Sequence, residues 1–125
     1  MRGAALAVLS FGALALLPGR PVVVGFAVLL GLAAGVYVGF ALPSASAGEQ
    51  RLQWIVAIGF VALAVIGATS LPWLLVAGWL AHAAWDARHH TTRDGIAPAP
   101  PWYARLCLVY DVAAAMILTG WYLLA

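Results

Sequence analysis

Charged residues are scarce in this sequence, and lysine is absent. Charged side chains make up 8% of the 125 residues, and the six basic residues are all arginines. A soluble domain of average composition carries roughly 25% charged residues, because its surface must face water. The scarcity therefore excludes a soluble enzyme domain and a disordered tail. The arginines are scattered and form no basic run, so nucleic-acid binding is excluded as well.

The sequence has one cysteine and shows no clear processing signal. The single cysteine, Cys107, excludes an internal disulfide and is interpreted as a small buried side chain. The first residues, one positive charge followed by an apolar run, are like a secretion signal, but no small-x-small cleavage site follows them. A lipoprotein signal is absent too. We therefore expect residues 2–17 to be a retained helix.

Long apolar runs occupy most of the chain. Apolar residues make up 66% of the sequence, and the mean hydropathy is +1.03. A helix needs about 20 apolar residues to cross the hydrocarbon core of a bilayer. Proline, glycine and charged residues divide the chain into five candidate spans, which are residues 2–17, 21–42, 50–69, 72–90 and 102–125. The sequence thus predicts one all-α membrane domain of about five transmembrane helices, or four if the first does not span.

Arginine is distributed unequally between the two ends of the predicted bundle. The end with the N-terminus and the longer loops has five arginines, which are Arg2, Arg51, Arg88, Arg93 and Arg105. The opposite end has only Arg20. By the positive-inside rule, we expect the N-terminus and the 91–101 loop to be cytoplasmic, with the chain in the inner (plasma) membrane. The residues expected to anchor span ends at the interface are Trp54, Trp73, Trp102 and Trp121.

The second span has a ridge of small residues, Gly31, Gly35 and Gly39, spaced four apart. Such spacing lets helix backbones approach closely. The ridge predicts either close packing against another span of the same chain or a homo-oligomer seam.

The ionisable residues are concentrated in one part of the chain. All three histidines and six of the ten charged residues lie between positions 82 and 111. The interiors of the first three spans contain none, and Glu49, Arg51 and Asp94 are interpreted as solvated loop charges. An ionisable side chain inside a membrane helix is costly, so it normally faces the bundle and has a partner. We therefore expect any chemistry in the fourth and fifth spans.

One face of each of these two spans is polar. At roughly 100° per residue, four residues of the fourth span fall within an arc of roughly 100°; they are His82, Asp86, His89 and His90. On the fifth span, Tyr103, Cys107 and Asp111 recur at intervals of four. His82 and Asp111 both lie roughly 12 to 14 Å from the connecting loop at about 1.5 Å per residue. The expected contacts across the hairpin are His82 with Asp111, Asp86 with Cys107, and Tyr103 with His89 or His90.

Imidazole and carboxylate groups on facing helices are suitable ligands for a transition metal. The predicted ligands of a divalent Zn or Fe ion are His82, Asp86, His89 and Asp111. Such an ion could activate a water or polarise a substrate oxygen. The candidate catalytic residues, as proton shuttle or polarising groups, are His90, Tyr103 and Arg88. The sequence favours a small polytopic membrane enzyme, a metal-dependent hydrolase or isomerase, acting on a lipid-soluble substrate such as a lipid or an isoprenoid.

Two other functions fit the same residues. His82 and Asp111 could form a buried hydrogen bond that fixes helix packing, while the basic residues within 88–93 bind anionic headgroups. The protein would then be a non-catalytic accessory subunit of a membrane complex. A proton or ion path through His82 and Asp111 is a third reading, although the polar groups reach only to about mid-membrane.

The fourth span has the pattern Gly-Trp-Leu-x-His-x-x-Trp-Asp-x-x-His-His, and a Cys and an Asp follow in the fifth. This stretch of about the last 50 residues resembles a family of small bacterial multi-pass membrane proteins of unknown function. The resemblance implies that His82, Asp86, His89, His90 and Asp111 belong to one site. It implies no particular reaction.

Overall fold

Five α-helices make up most of the part of the chain that is described in the computed structural model, which comprises residues 1–17, 21–43, 46–91 and 99–124. They are α1 (Arg2–Ala15), α2 (Pro21–Ala41), α3 (Ala47–Thr69), α4 (Pro72–Thr91) and α5 (Pro101–Leu124). Three of them, α2, α3 and α5, are long and apolar enough to cross a membrane, with mean hydropathies of 2.3, 2.1 and 1.7. The predicted all-helical membrane fold is confirmed.

The two remaining helices differ from these three in length or composition. α1 has 14 residues and ends at Ala15, where the sequence predicted residue 17. At about 1.5 Å per residue it extends roughly 21 Å, less than a hydrocarbon core of about 30 Å. α4 has 20 residues but is less apolar than the other long helices, because its second half contains the polar residues described below.

Local signals set the helix starts. Proline is the first residue of α2, α4 and α5, where its missing N–H costs no hydrogen bond. α3 begins at Ala47 and not at Gln50, because Ser46 and Glu49 form a capping box. The Ser46 hydroxyl accepts from Glu49 N at 3.3 Å, and Glu49 Oε2 accepts from Ser46 N at 2.8 Å. The interpretation of Glu49 and Arg51 as loop charges is therefore wrong, and Asp94 lies outside the described residues.

The helices pack in a closed order. α5 lies between α1 and α4, α3 lies between α4 and α2, and α2 also contacts α1 and α4. The glycine ridge of α2 takes little part in this packing. A Cβ at Gly31 would lie 3.6 Å from Val61, but at Gly35 or Gly39 it would meet no described atom within 4 Å. Internal packing is therefore not the role of the last two glycines, and self-association through them stays a prediction.

The interior has an apolar half and a polar half. Where α2 and α4 begin, the core consists of large apolar side chains, including Phe26, Leu30, Leu75 and Leu118. Where α2 and α4 end, the buried residues include polar and ionisable groups. The outer surface is apolar, and many leucine, valine and isoleucine side chains are exposed on it. Polar groups inside and apolar groups outside are the distribution expected of a helical bundle in lipid.

Candidate functional site

Successive turns of α4 place His82, Asp86 and His89 on its inner face. His82 and Asp86 are 0% exposed and His89 is 9% exposed. His82 Nδ1 lies 3.7 Å from Asp86 Oδ2, as the i, i+4 spacing allows. These three residues therefore share one face of α4, as their spacing predicts.

Asp111 of α5 meets this face at His82. The distance between His82 Nδ1 and Asp111 Oδ2 is 2.6 Å, and Asp111 is 1% exposed. The imidazole nitrogen donates in this hydrogen bond when Asp111 is ionised and accepts when Asp111 is protonated. The contact is the one expected from the equal depths of the two residues. It joins α4 to α5 at the innermost point of the polar half.

Tyr37 of α2 completes the surroundings of Asp86. Its hydroxyl donates to Asp86 Oδ1 at 2.5 Å, and both side chains are buried. The sequence reasoning missed Tyr37, because it searched for ionisable residues and counted α2 as empty. Similar depth in the two helices could have identified it, since Tyr37 lies four residues before the end of α2 and Asp86 lies five before the end of α4.

His89 is bonded to α3 and to its own helix. Its Nδ1 lies 2.8 Å from the Trp85 carbonyl oxygen, and its Nε2 lies 2.9 Å from Gln53 Nε2. A carbonyl oxygen can only accept and an amide nitrogen can only donate, so His89 is neutral and protonated on Nδ1. Both ring nitrogens are then engaged. Gln53, which is 2% exposed, was also missed by the sequence reasoning.

Aromatic rings enclose these polar side chains. The ring centroid of Phe60 lies 4.8 Å from that of His82, and the Tyr37 and His89 centroids lie 4.1 Å apart. Tyr103 of α5 packs edge-on against Tyr37 at 6.0 Å. This apolar enclosure strengthens the electrostatic interactions inside it, because water cannot screen them.

The remaining candidates lie at different distances from this centre. Tyr103 and Cys107 are half-buried, and Tyr103 reaches the centre through Tyr37. His90 and Arg88 are exposed, and the Arg88 Cζ lies 5.9 Å from the centre of the Trp85 ring. Arg93 lies outside the described residues. Both the helical spacing and the resemblance predicted His90 beside the buried residues, whereas its side chain is exposed.

We call His82, Asp86 and Asp111 the His–Asp cluster. One possible ligand atom from each residue lies within 4.8 Å of the other two. Two of its buried atoms, His82 Nε2 and Asp86 Oδ2, have no hydrogen-bond partner in the described part of the chain. The carboxylate oxygen is an acceptor, and the imidazole nitrogen is one when His82 is neutral with its proton on Nδ1. The cluster thus has the ligand types and the unsatisfied acceptor capacity that suit a cation.

The fold and the site define a class, a small helical membrane protein with a buried His–Asp cluster. The model of a family of unknown function, DUF6010, matches residues 3–124, and the chain belongs to this family. No curated protein and no solved structure matches the chain. Membership of a family of unknown function agrees with the resemblance drawn from the sequence. The arguments for function therefore come from the cluster.

Proposed function

We propose that the protein is a membrane enzyme that uses one divalent metal ion, held by His82, Asp86 and Asp111. The observation that carries the proposal is the convergence of one imidazole and two carboxylates, all buried, within 4.8 Å of one another. A buried charge in a membrane helix needs a compensating partner. A divalent cation with neutral His82 and two ionised aspartates leaves no net charge.

The geometry needs a small adjustment to hold such an ion. His82 Nδ1 and Asp111 Oδ2 are 2.6 Å apart, the distance of a direct hydrogen bond. Two ligands of one tetrahedral Zn ion, with bonds of about 2.0 to 2.2 Å, stand roughly 3.3 Å apart. Binding would therefore require loss of the proton between them and an increase of roughly 0.7 Å in their separation. Three protein ligands leave a coordination position for water or substrate, as in catalytic zinc sites.

The surroundings favour a lipid-soluble substrate, such as a lipid or an isoprenoid. The cluster lies inside an apolar bundle whose outer surface is also apolar, so its substrate would approach from the lipid and not from water. A redox-inert ion such as Zn supplies Lewis-acid chemistry, which suits hydrolysis or isomerisation, whereas an oxidative step requires iron. Tyr37 positions Asp86 through its hydrogen bond. The ring of Tyr103, which carries a second hydroxyl group, packs against the ring of Tyr37.

Metal analysis of the purified full chain tests the proposal. We expect about one transition-metal ion per chain, lost in His82→Ala and in Asp111→Asn. His90→Ala is the matched control, because His90 is exposed on the same helix, and it should retain the metal. Absence of stoichiometric metal from the wild type, or equal metal in His82→Ala and wild type, would overturn the proposal.

A non-catalytic accessory subunit is the second candidate, favoured by the direct 2.6 Å contact between His82 and Asp111. In this role the cluster fixes the packing of α4 on α5. It predicts that chelators leave thermal stability unchanged and that the chain purifies with a partner protein. A proton path is less well supported, because the buried polar residues of the described part lie in only one half of the bundle.

A further inference from the structure

A second polar feature lies outside the His–Asp cluster, at the end of the bundle where α1 and α5 begin and α4 ends. It is an open cavity of about 500 Å³. We call it the basic pocket; its lining includes Arg2, His90, Trp102, Arg105, Leu106 and Val109.

The basic pocket is lined by basic side chains, and no acidic residue is among the described residues of its lining. Arg2, His90 and Arg105 line it, and neither arginine takes part in an ion pair or a side-chain hydrogen bond within the described residues. The described acids are engaged elsewhere, since Glu49 caps α3 and the two aspartates belong to the cluster. An anion is therefore the ligand that this arrangement favours.

Part of the lining of the basic pocket is apolar. Leu106 and Val109 of α5 line it together with the arginines, and Trp102, which also lines it, is 67% exposed. α1 is held close at this point, because a Cβ on Gly3 would clash with the backbone at Leu106 and Tyr110. Basic side chains beside apolar ones, next to a tryptophan of the type found at membrane interfaces, fit an amphiphile better than a small anion.

We propose that the basic pocket binds the phosphate headgroup of an anionic membrane lipid. Arg2 and Arg105 contact the phosphate, and His90 lies beside them. The acyl chains lie along Leu106 and Val109. The proposal does not depend on the metal, because the face of α5 that lines the pocket differs from the face that presents Asp111 to α4.

Native mass spectrometry of the purified full chain in detergent tests the site, with phosphatidylglycerol as the probe and phosphatidylcholine as the neutral comparison. We expect phosphatidylglycerol to bind in preference to phosphatidylcholine. The double substitution Arg2→Gln with Arg105→Gln should weaken its binding at least about tenfold, since each basic residue near a surface contributes about 1 kcal/mol. The matched control for Arg105→Gln is Arg51→Gln, which removes one exposed charge from the same end and should change binding less than about twofold.

Three results would overturn the proposal. Equal weakening by Arg105→Gln and Arg51→Gln would indicate diffuse surface charge, and equal binding of the two lipids would exclude headgroup recognition. Displacement of the lipid by an equal concentration of glycerol phosphate would identify a free phosphate ester as the ligand. If the double variant does not fold, Arg105→Gln alone carries the test, with an expected loss of about fivefold. Metal content measured on the same samples should not change, which separates this site from the proposed metal centre.

Discussion

Asp86 is the residue on which the buried polar groups converge. Its Oδ1 accepts from Tyr37 at 2.5 Å, and its Oδ2 lies 3.7 Å from His82 Nδ1. A buried carboxylate is tolerated only where donors or cations replace its lost hydration. The Tyr37 hydroxyl therefore contributes to stability through the Asp86 carboxylate, in addition to the packing of its ring.

Removal of that hydroxyl should destabilise the bundle. Tyr37→Phe keeps the ring and its contacts with His89 and Tyr103 but leaves Asp86 Oδ1 without its donor. We expect a loss of about 1 to 2 kcal/mol, the upper part of the range for hydrogen bonds between membrane helices. Thermal unfolding in detergent, followed by tryptophan fluorescence, measures it.

Tyr110→Phe is the matched control for this substitution. The Tyr110 hydroxyl donates to Ser10 Oγ at 3.1 Å, which is a neutral acceptor in a half-buried place. We expect a loss of roughly 0.5 kcal/mol, near the average for such contacts. Equal losses in the two variants would show that the Asp86 carboxylate does not depend on Tyr37.

Part of the candidate site could be predicted from residue spacing. Helical geometry alone brings His82 and Asp86 to one face, and equal depth in an antiparallel hairpin brings Asp111 to His82. Tyr37 and Gln53 could not be found by a search for ionisable groups, because a phenol and an amide are neutral at pH 7. Their contribution depends on which helices surround α4, which is a property of the fold.

At the scale of helices, the turn between α3 and α4 depends on one close approach. A Cβ at Gly67 would lie 2.5 Å from Leu75 N and 2.8 Å from Leu75 Cβ. Leu75 is fully buried, and Ser70 N and Leu71 N both donate to Ile66 O in the turn. A larger side chain at position 67 would therefore clash with the backbone and the side chain of Leu75, and displacing either of them costs packing energy.

Gly67→Ala should separate α3 from α4 and destabilise the bundle by about 1 to 3 kcal/mol, as overpacking does in cores. Gly59→Ala in the same helix is the control, because a Cβ there would meet no described atom within 4 Å. It should be neutral, or stabilising by up to about 1 kcal/mol through helix propensity. Thermal unfolding followed by circular dichroism compares them, and equal midpoints would contradict the role given to Gly67.

Two kinds of local sequence signal determine where the helices begin. α2 and α4 begin at prolines, and their predicted starts were correct. The start of α3 was placed three residues late, because a polar first turn was interpreted as a loop. That turn is Ala-Gly-Glu, and the side chains of Ser46 and Glu49 replace the missing backbone partners. Capping chemistry, and not hydropathy, determines where this helix begins.

At the scale of the whole molecule, the described charges outside the His–Asp cluster lie at one end of the bundle. The exposed arginines there are Arg2, Arg51, Arg88 and Arg105. At the opposite end, the described residues around Ser70 and Trp121 include no charged side chain, and Arg20 lies outside the described residues. Because arginine near helix ends is retained on the cytoplasmic side, we expect the end with Arg2 to face the cytoplasm.

Cysteine labelling in cells of an expression host measures this orientation. In a Cys107→Ala background, Ser46→Cys places a thiol at the arginine-rich end and Ser70→Cys places one at the other, both at exposed positions. A membrane-impermeant maleimide should label Ser70→Cys in intact cells and Ser46→Cys only after the cells are opened. The reverse pattern would mean that the arginines do not determine orientation. The basic pocket would then face the outer leaflet, so the same labelling experiment also decides which leaflet supplies its lipid.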